Sequence, residues 1–272
     1  MDLGLTGKRA LVTGASEGVG RATVLALAEE GCEVAFCARR LPLLEALAAE
    51  VRERYPGRRA IPIVADLLEA ADCERFVNEA AAALGGIDIV VNNAGASVLG
   101  SFEQIPDEDF WRGHDLKLRG FVRVTRAALP HLRAGGRGGP GGERGGVILN
   151  VAGNTGKFPW AKSMAGGAAN AAVMNFTTAL AQEVAADGIR VVCLAPGGIA
   201  TQRFELQVIP AVAAEQGSSV EEARATYVGG LPLGRIASPD EIGGVIAFLA
   251  SARCANATGT TLVYDGGITA GL

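Results

Sequence analysis

The stretch Thr13-Gly14-Ala15-Ser16-Glu17-Gly18-Val19-Gly20 decides how the chain is read. Ahead of it, Ala10-Leu11-Val12 is an apolar run with the character of a buried strand. Behind it, residues 21–30 are rich in helix formers, with Val24, Leu25, Leu27 and Ala28 as an apolar stripe. The glycines therefore fall on a strand-to-helix turn. There the chain bends sharply, and a helix N-terminus offers backbone N–H groups to a phosphate. Glycine suits both demands because it lacks Cβ and adopts positive φ freely. Alone, a glycine-rich turn could be no more than a tight turn. The strand before it and the helix after it point to a phosphate cradle.

Outward from this turn, strand and helix patterns alternate. Residues 32–38, 60–65, 87–91, part of 145–151, 189–194 and 261–264 read as further strands. Helical patterns cover 41–54, with Leu44, Leu47 and Val51 on one face, then 69–84, 107–132 and 165–186. Ser238-Pro239-Asp240-Glu241 has the form of another helix start. Apolar strands alternating with helices imply a parallel sheet covered on both faces. Right-handed crossovers then give an α/β fold: one doubly wound Rossmann domain over 1–272, seven parallel strands, helices on both faces. Ligands are expected at the carboxyl ends of the strands. Residues 201–235 are expected to form a helical lid over the site. Residues 135–146, nearly all Gly and Arg, are expected to be a mobile surface loop.

Composition bounds the function. The 272 residues contain no linker, and 49% hydrophobic residues suffice for one large core. A net charge of −4 gives no support for binding nucleic acid or an anionic membrane surface. No apolar run is long enough for a transmembrane helix. Residues 1–8 are short and mixed, so no secretory leader is expected. The five cysteines, Cys32, Cys37, Cys73, Cys193 and Cys254, match neither a metal spacing nor a disulfide framework. Free buried thiols, no metal site and a reducing cytoplasm are the expectation.

Five motifs in register carry a resemblance over the whole length. They are Thr13-Gly-x-x-x-Gly-x-Gly20, Asp66 after the third strand, Asn92-Asn-Ala-Gly95, Pro196-Gly197 with Thr201, and Thr258-Gly with Asp265-Gly-Gly267. In these the chain resembles the short-chain dehydrogenase/reductase family. The resemblance implies an NAD(P)-binding Rossmann domain, a small-molecule substrate and a homo-oligomer, either tetramer or dimer. It implies that Gly14, Ser16, Gly18, Val19 and Gly20 line the cofactor pyrophosphate. Asp66 and Leu67 would meet the adenine; Asn92, Asn93, Ala94 and Gly95 would run beside the adenosine ribose. Pro196, Gly197 and Thr201 would border the cofactor amide or phosphate. A solvated helix cap is the plainer role for Asp66. Ala38-Arg39-Arg40 ends the second strand, where a basic residue suits a ribose 2′-phosphate. NADP(H) is therefore expected over NAD(H), although Glu17 in the glycine turn argues mildly against it.

The catalytic half departs from the family, whose members use Asn, Ser, Tyr and Lys. Aligned on Asn150-Val151 and Ala171-Ala172-Val173, Lys117 takes the Asn position, Gly153 the Ser position, Gly166 the Tyr position and Asn170 the Lys position. None of the three tyrosines, Tyr55, Tyr227 and Tyr264, has Lys four residues later. Lys117 and Asn170 look exchanged: an ammonium from the opposite side, with Asn170 on the ribose hydroxyls. Lysine can lose its proton when desolvated and so act as acid or base. A solvated helix residue beside Arg119 is the competing reading. Ser163, Asn154 and Lys162 are further polar candidates, Trp160 a candidate aromatic wall, and His114 shares a helical face with Lys117. Three functions fit. The first is an oxidoreductase acting on a carbonyl, alcohol or activated alkene. The second is a non-redox dehydratase or isomerase on the same fold, and the third a non-enzymatic NADP(H) sensor or scaffold. Phe204, Leu206, Val208, Ile209 and Tyr227 in the lid favour an apolar or aromatic ligand.

Overall fold

The computed structural model describes residues 1–95, 98–135 and 145–269. Seven strands form one parallel sheet in the order β3-β2-β1-β4-β5-β6-β7. They are β1 (Arg9–Thr13), β2 (Glu33–Ala38), β3 (Ala60–Val64), β4 (Ile89–Asn92), β5 (Val147–Val151), β6 (Arg190–Pro196) and β7 (Thr261–Tyr264). The order reverses between β1 and β4, which opens a crevice at the carboxyl edge.

Period-two alternation sends neighbouring side chains to opposite faces. Val12, Phe36, Val91, Leu149 and Val192 pack on one face with α1 (Gly18–Glu29), α2 (Leu41–Arg54) and α9 (Pro239–Ala250). Leu11, Ala35, Val90, Ile148 and Val191 pack on the other with α3 (Ala70–Leu84), α5 (Gly120–Gly135) and α6 (Met164–Val184). Burial on both faces makes the strands near-continuous apolar runs. Leu44, Leu47 and Val51 are buried along α2, as their spacing predicts. At the amino edge Arg9 and Asp88 form a buried pair: Nε meets Oδ2 at 2.8 Å and Nη2 meets Oδ1 at 2.7 Å. Ser238 and Glu241 form a complete capping box at the start of α9.

One segment differs from the expectation. The stretch 107–132 is not one regular helix. It divides into α4 (Asp107–His114), a wide π turn at Asp115–Arg119, and α5. Of the expected loop at 135–146, residues 136–144 lie outside the described residues. The 201–235 segment is helical: a π turn at Phe204–Val208, then α7 (Ile209–Gln216) and α8 (Val220–Gly229). Its own small cluster, Phe204, Ile209, Val212, Ala213 and Ala223, packs against Trp160 and Tyr227. No helix among the described residues is long and apolar enough to cross a membrane.

Candidate active site

A cleft of about 1290 Å³ runs along the carboxyl edge, from the glycine turn to the lid. Its first half is backbone. Gly14 has φ +68°, and a Cβ there would stand 2.7 Å from Ala94 Cα. Gly18 has φ +57°, with Thr201 Cγ2 3.3 Å from where its Cβ would be. Glycine is therefore needed at both positions for conformation and for closeness. Thr13 Oγ1 accepts from the N–H groups of Asn93 (2.9 Å) and Ala94 (3.1 Å), tying the turn to the end of β4. Asn93 Nδ2 returns bonds to the carbonyls of Thr13 and Gly14. Ser16, Val19, Asp66, Leu67, Asn93, Ala94, Gly95, Pro196, Gly197 and Thr201 all line this cleft.

Two expected cofactor residues do not line it. Gly20 lies behind the turn, where a Cβ would stand 2.2 Å from the Gly14 carbonyl oxygen. Its smallness serves helix–strand packing. Asn92 points into the sheet interior: its Nδ2 donates to Thr125 Oγ1 (3.0 Å) and Asn150 Oδ1 (2.9 Å). Asp66 is not a helix cap. Its Oδ1 accepts from the Leu68 N–H at 3.1 Å in a local turn ahead of α3. At the end of β2, Arg40 pairs with Glu17 at 2.6 Å and reaches Ser16 Oγ at 3.4 Å. Arg39, exposed on the cleft wall, has no hydrogen bond or ion pair with a described residue.

The second half carries the side chains. Lys117 sits on the π turn, and Asn170 lies on α6, one turn beyond Gly166. Lys117 Nζ donates to Asn170 Oδ1 at 2.6 Å, and Asn170 Nδ2 donates to Thr155 Oγ1 at 2.9 Å. So the two residues read as an exchange meet across the cleft. Lys117 lies over Gly95, whose missing Cβ would be 3.7 Å from Nζ. Loss of water lowers the Lys117 amine to about 8, with repulsion from Arg203 adding to the fall and the Cys193 sulfur opposing it. A Cβ on Gly153 would be 2.8 Å from Asn170 Nδ2, so glycine there makes room for the amide.

Ser163 is buried just ahead of α6 and lines the cleft, as do Gly166, Trp160 and Tyr227. Its hydroxyl has no hydrogen-bond partner among the described residues. Asn154 also lines the cleft, but its amide donates to Asp265 Oδ2 at 3.2 Å. His114 is not brought to the site. It packs on Phe110 and Trp111, outside the cleft, where burial lowers its pKa. Lys162 does not line the cleft either. The sequence reading missed Thr155 and Arg203. The signal for Thr155 was Gly156, whose missing Cβ would stand 2.7 Å from the Ala171 nitrogen and lets this turn press on α6. Arg203 carried no local signal, because the lid geometry alone brings it to the cleft. No cluster of potential metal ligands occurs among the described residues.

Residues 8–208 match the family model for short chain dehydrogenases. The hydroxynaphthalene reductase-like protein Arp2 of Metarhizium robertsii is 34% identical over 268 residues, covering 97% of this chain and 95% of that protein. The 3-oxoacyl-[acyl-carrier-protein] reductase FabG of Thermotoga maritima is 33% identical over 270 residues, covering 97% and 98%. L-sorbose reductase of Gluconobacter frateurii, solved with NADPH and L-sorbose, superposes with a TM-score of 0.89 at 29% identity over 100% of both chains. The chain belongs to the short-chain dehydrogenase family, an NAD(P)-binding family of oxidoreductases.

Proposed function

We propose that the protein is an NADP(H)-dependent oxidoreductase acting on a carbonyl, alcohol or activated alkene, with Lys117 and Asn170 in place of the family's Asn and Lys. The observation that carries this reading is the Lys117 Nζ–Asn170 Oδ1 bond of 2.6 Å, set in the same cleft as the glycine cradle. The cradle fits the cofactor, because glycine at 14 and 18, where a Cβ would press on Ala94 and Thr201, leaves a bare backbone turn at the start of α1. Arg39 fits a 2′-phosphate: its guanidinium is uncommitted among the described residues, whereas Glu17 already holds Arg40. When bound, the nicotinamide supplies or accepts the hydride.

The chain's own residues then manage binding and the proton. Asn170 fixes the Lys117 nitrogen, and Thr155 fixes Asn170. The Lys117 ammonium holds a proton at Nζ for the oxygen of a carbonyl being reduced. Ser163 offers a second hydroxyl on the same wall. Glycine at 166 supports a roomier site than a tyrosine would leave, whereas the room at Gly153 is taken by the Asn170 amide. Trp160, Phe204, Leu206 and Tyr227 wall its outer end and suit an apolar or aromatic substrate.

Calorimetric titration with NADPH and with NADH tests the cofactor half. NADPH is expected to bind more tightly, and Arg39→Ser to abolish the difference. Substrate-dependent NADPH consumption over a panel of ketones, aldehydes and enones tests the chemistry. Turnover without a change in nicotinamide absorbance would instead establish the dehydratase or isomerase reading, and cofactor binding without turnover the sensor reading.

A further inference from the structure

We propose that Lys117 is a carbonyl-reactive amine, one that condenses reversibly with an aldehyde or ketone seated in the cleft to form an imine. This rests on the placement of the nitrogen and goes beyond the reductase reading, which uses the same nitrogen only as an acid.

Four features converge on it. Lys117 is the only one of the four lysines that lines the cleft. Its nitrogen is held by a neutral amide oxygen, Asn170 Oδ1, and no carboxylate pairs with it among the described residues. An ordinary lysine beside a carboxylate would stay charged and unreactive. Two glycines flank the position. Gly95 lies beneath the side chain, and Gly166 puts no side chain on the cleft wall one turn before Asn170. A carbonyl carbon can therefore approach the nitrogen without displacing a side chain. Arg203, a second cation on the same cleft, disfavours the ammonium. Desolvation together with a neighbouring cation is the arrangement that turns lysine into a nucleophile.

The charged surroundings support this except at Cys193, whose sulfur opposes it. Across the cleft, α6 presents Asn170, and its one charged residue, Glu183, is near its far end. From β6 comes Cys193, whose sulfur holds the Lys117 amine up against the loss of water; burial raises its own thiol to about 11. On the π turn itself, Asp115 is engaged by Arg119 at 3.0 Å. His114 turns away toward Phe110 and Trp111. On α5, Arg123 donates to the Leu68 carbonyl.

The step balances without an added oxidant or reductant. The Nζ lone pair forms a bond to the carbonyl carbon as the C=O π pair moves to oxygen. One proton passes from nitrogen to that oxygen through solvent, giving a carbinolamine. The hydroxyl leaves as water with a further proton, and C=N forms in its place. The imine then withdraws electrons from the adjacent carbon, the requirement of isomerisation, dehydration and carbon–carbon cleavage. The two uses of the nitrogen separate by protonation: the ammonium donates, the free amine attacks.

The test needs no turnover and no cofactor. The whole protein is incubated with benzaldehyde, and separately with acetone, in the presence of sodium cyanoborohydride, between pH 6 and 10. The reduced adduct is mapped by peptide mass spectrometry. Lys8, Lys157 and Lys162 serve as controls in the same molecule, so the result does not depend on a variant folding. Modification is expected at Lys117 about tenfold faster than at the other three, with a half-maximal rate near pH 8. Lys117→Arg, which keeps the charge, is expected to lose the adduct and nothing else on the map. Modification of Lys117 no faster than the other lysines would overturn the proposal. NADPH binding, measured separately, decides the reductase reading independently of this outcome.

Discussion

Lys117 is where residue-scale chemistry has the largest leverage, and its lowered pKa acts in two directions. As a proton donor it must carry its proton, so NADPH-dependent reduction is expected to fall as pH rises through about 8. A pH–rate profile flat to pH 10 would exclude it as the donor. Lys117→Met is expected to slow reduction by about 10²–10⁴-fold. The same residue is expensive to fold around. Its amine titrates near the ordinary 10.5 when unfolded and at about 8 in the fold. Between those values the unfolded chain holds more protons, so stability rises with pH across that window. Below pH 8 the desolvated ammonium costs the fold about 1–3 kcal/mol, allowing for its partial contact with solvent. Lys117→Met is therefore expected to raise the melting temperature at pH 7, with the gain fading by pH 10.5. Differential scanning fluorimetry at the two pH values checks this. A variant more stable and less active is what a functional buried charge predicts.

At the scale of elements, the amino edge of the sheet turns on one contact. Arg9 at the start of β1 and Asp88 just before β4 are both buried, and Asp88 Oδ2 also accepts the Arg9 backbone N–H at 2.9 Å. Asp88→Ala leaves a buried guanidinium without its carboxylate, at an expected cost of about 3–5 kcal/mol in urea unfolding. Loss of under 1 kcal/mol would show that solvent replaces the pair. Most elements were legible because their signals are local. The strands announce themselves as apolar runs, α2 by the Leu44, Leu47 and Val51 spacing, and α9 by Ser238 and Glu241. The π turn at Asp115–Arg119 was not legible. The helical pattern runs across 107–132 despite Gly113, Gly120 and Pro130, and nothing local in it marks a wider turn at Asp115–Arg119.

For the whole molecule, the doubly wound topology places the glycine turn, the β4 loop and the lid along one edge, so cofactor binding should brace the entire sheet. NADPH at about 100 times its dissociation constant is expected to add about 2.7 kcal/mol of stability. NADH at the same concentration should add less, read as a smaller thermal shift. Equal shifts would refute the role given to Arg39. The site was half legible for a reason of scale. Backbone cradles leave glycines in the sequence, as at Gly14 and Gly18, so the first half of the cleft could be read residue by residue. Gly20 and Asn92 fell in the same motifs yet serve packing, because a motif records that a small or polar residue is needed, not which surface it faces. The catalytic half is assembled from segments far apart in the chain. Only folding reveals that Thr155 secures Asn170, or that Arg203 and Lys117 line one cleft.

The wide turn beneath Lys117 has one more consequence. A π turn holds one residue more than a regular helical turn, and each residue advances a helix by about 100°. Removing one residue between Asp115 and Arg119 would restore a regular helix and swing position 117 away from Asn170 with little cost to the core. The direction in which the amine points is thus recorded as a count of residues. An insertion or deletion, more readily than a substitution, would move this chain between having its polar pair and lacking it.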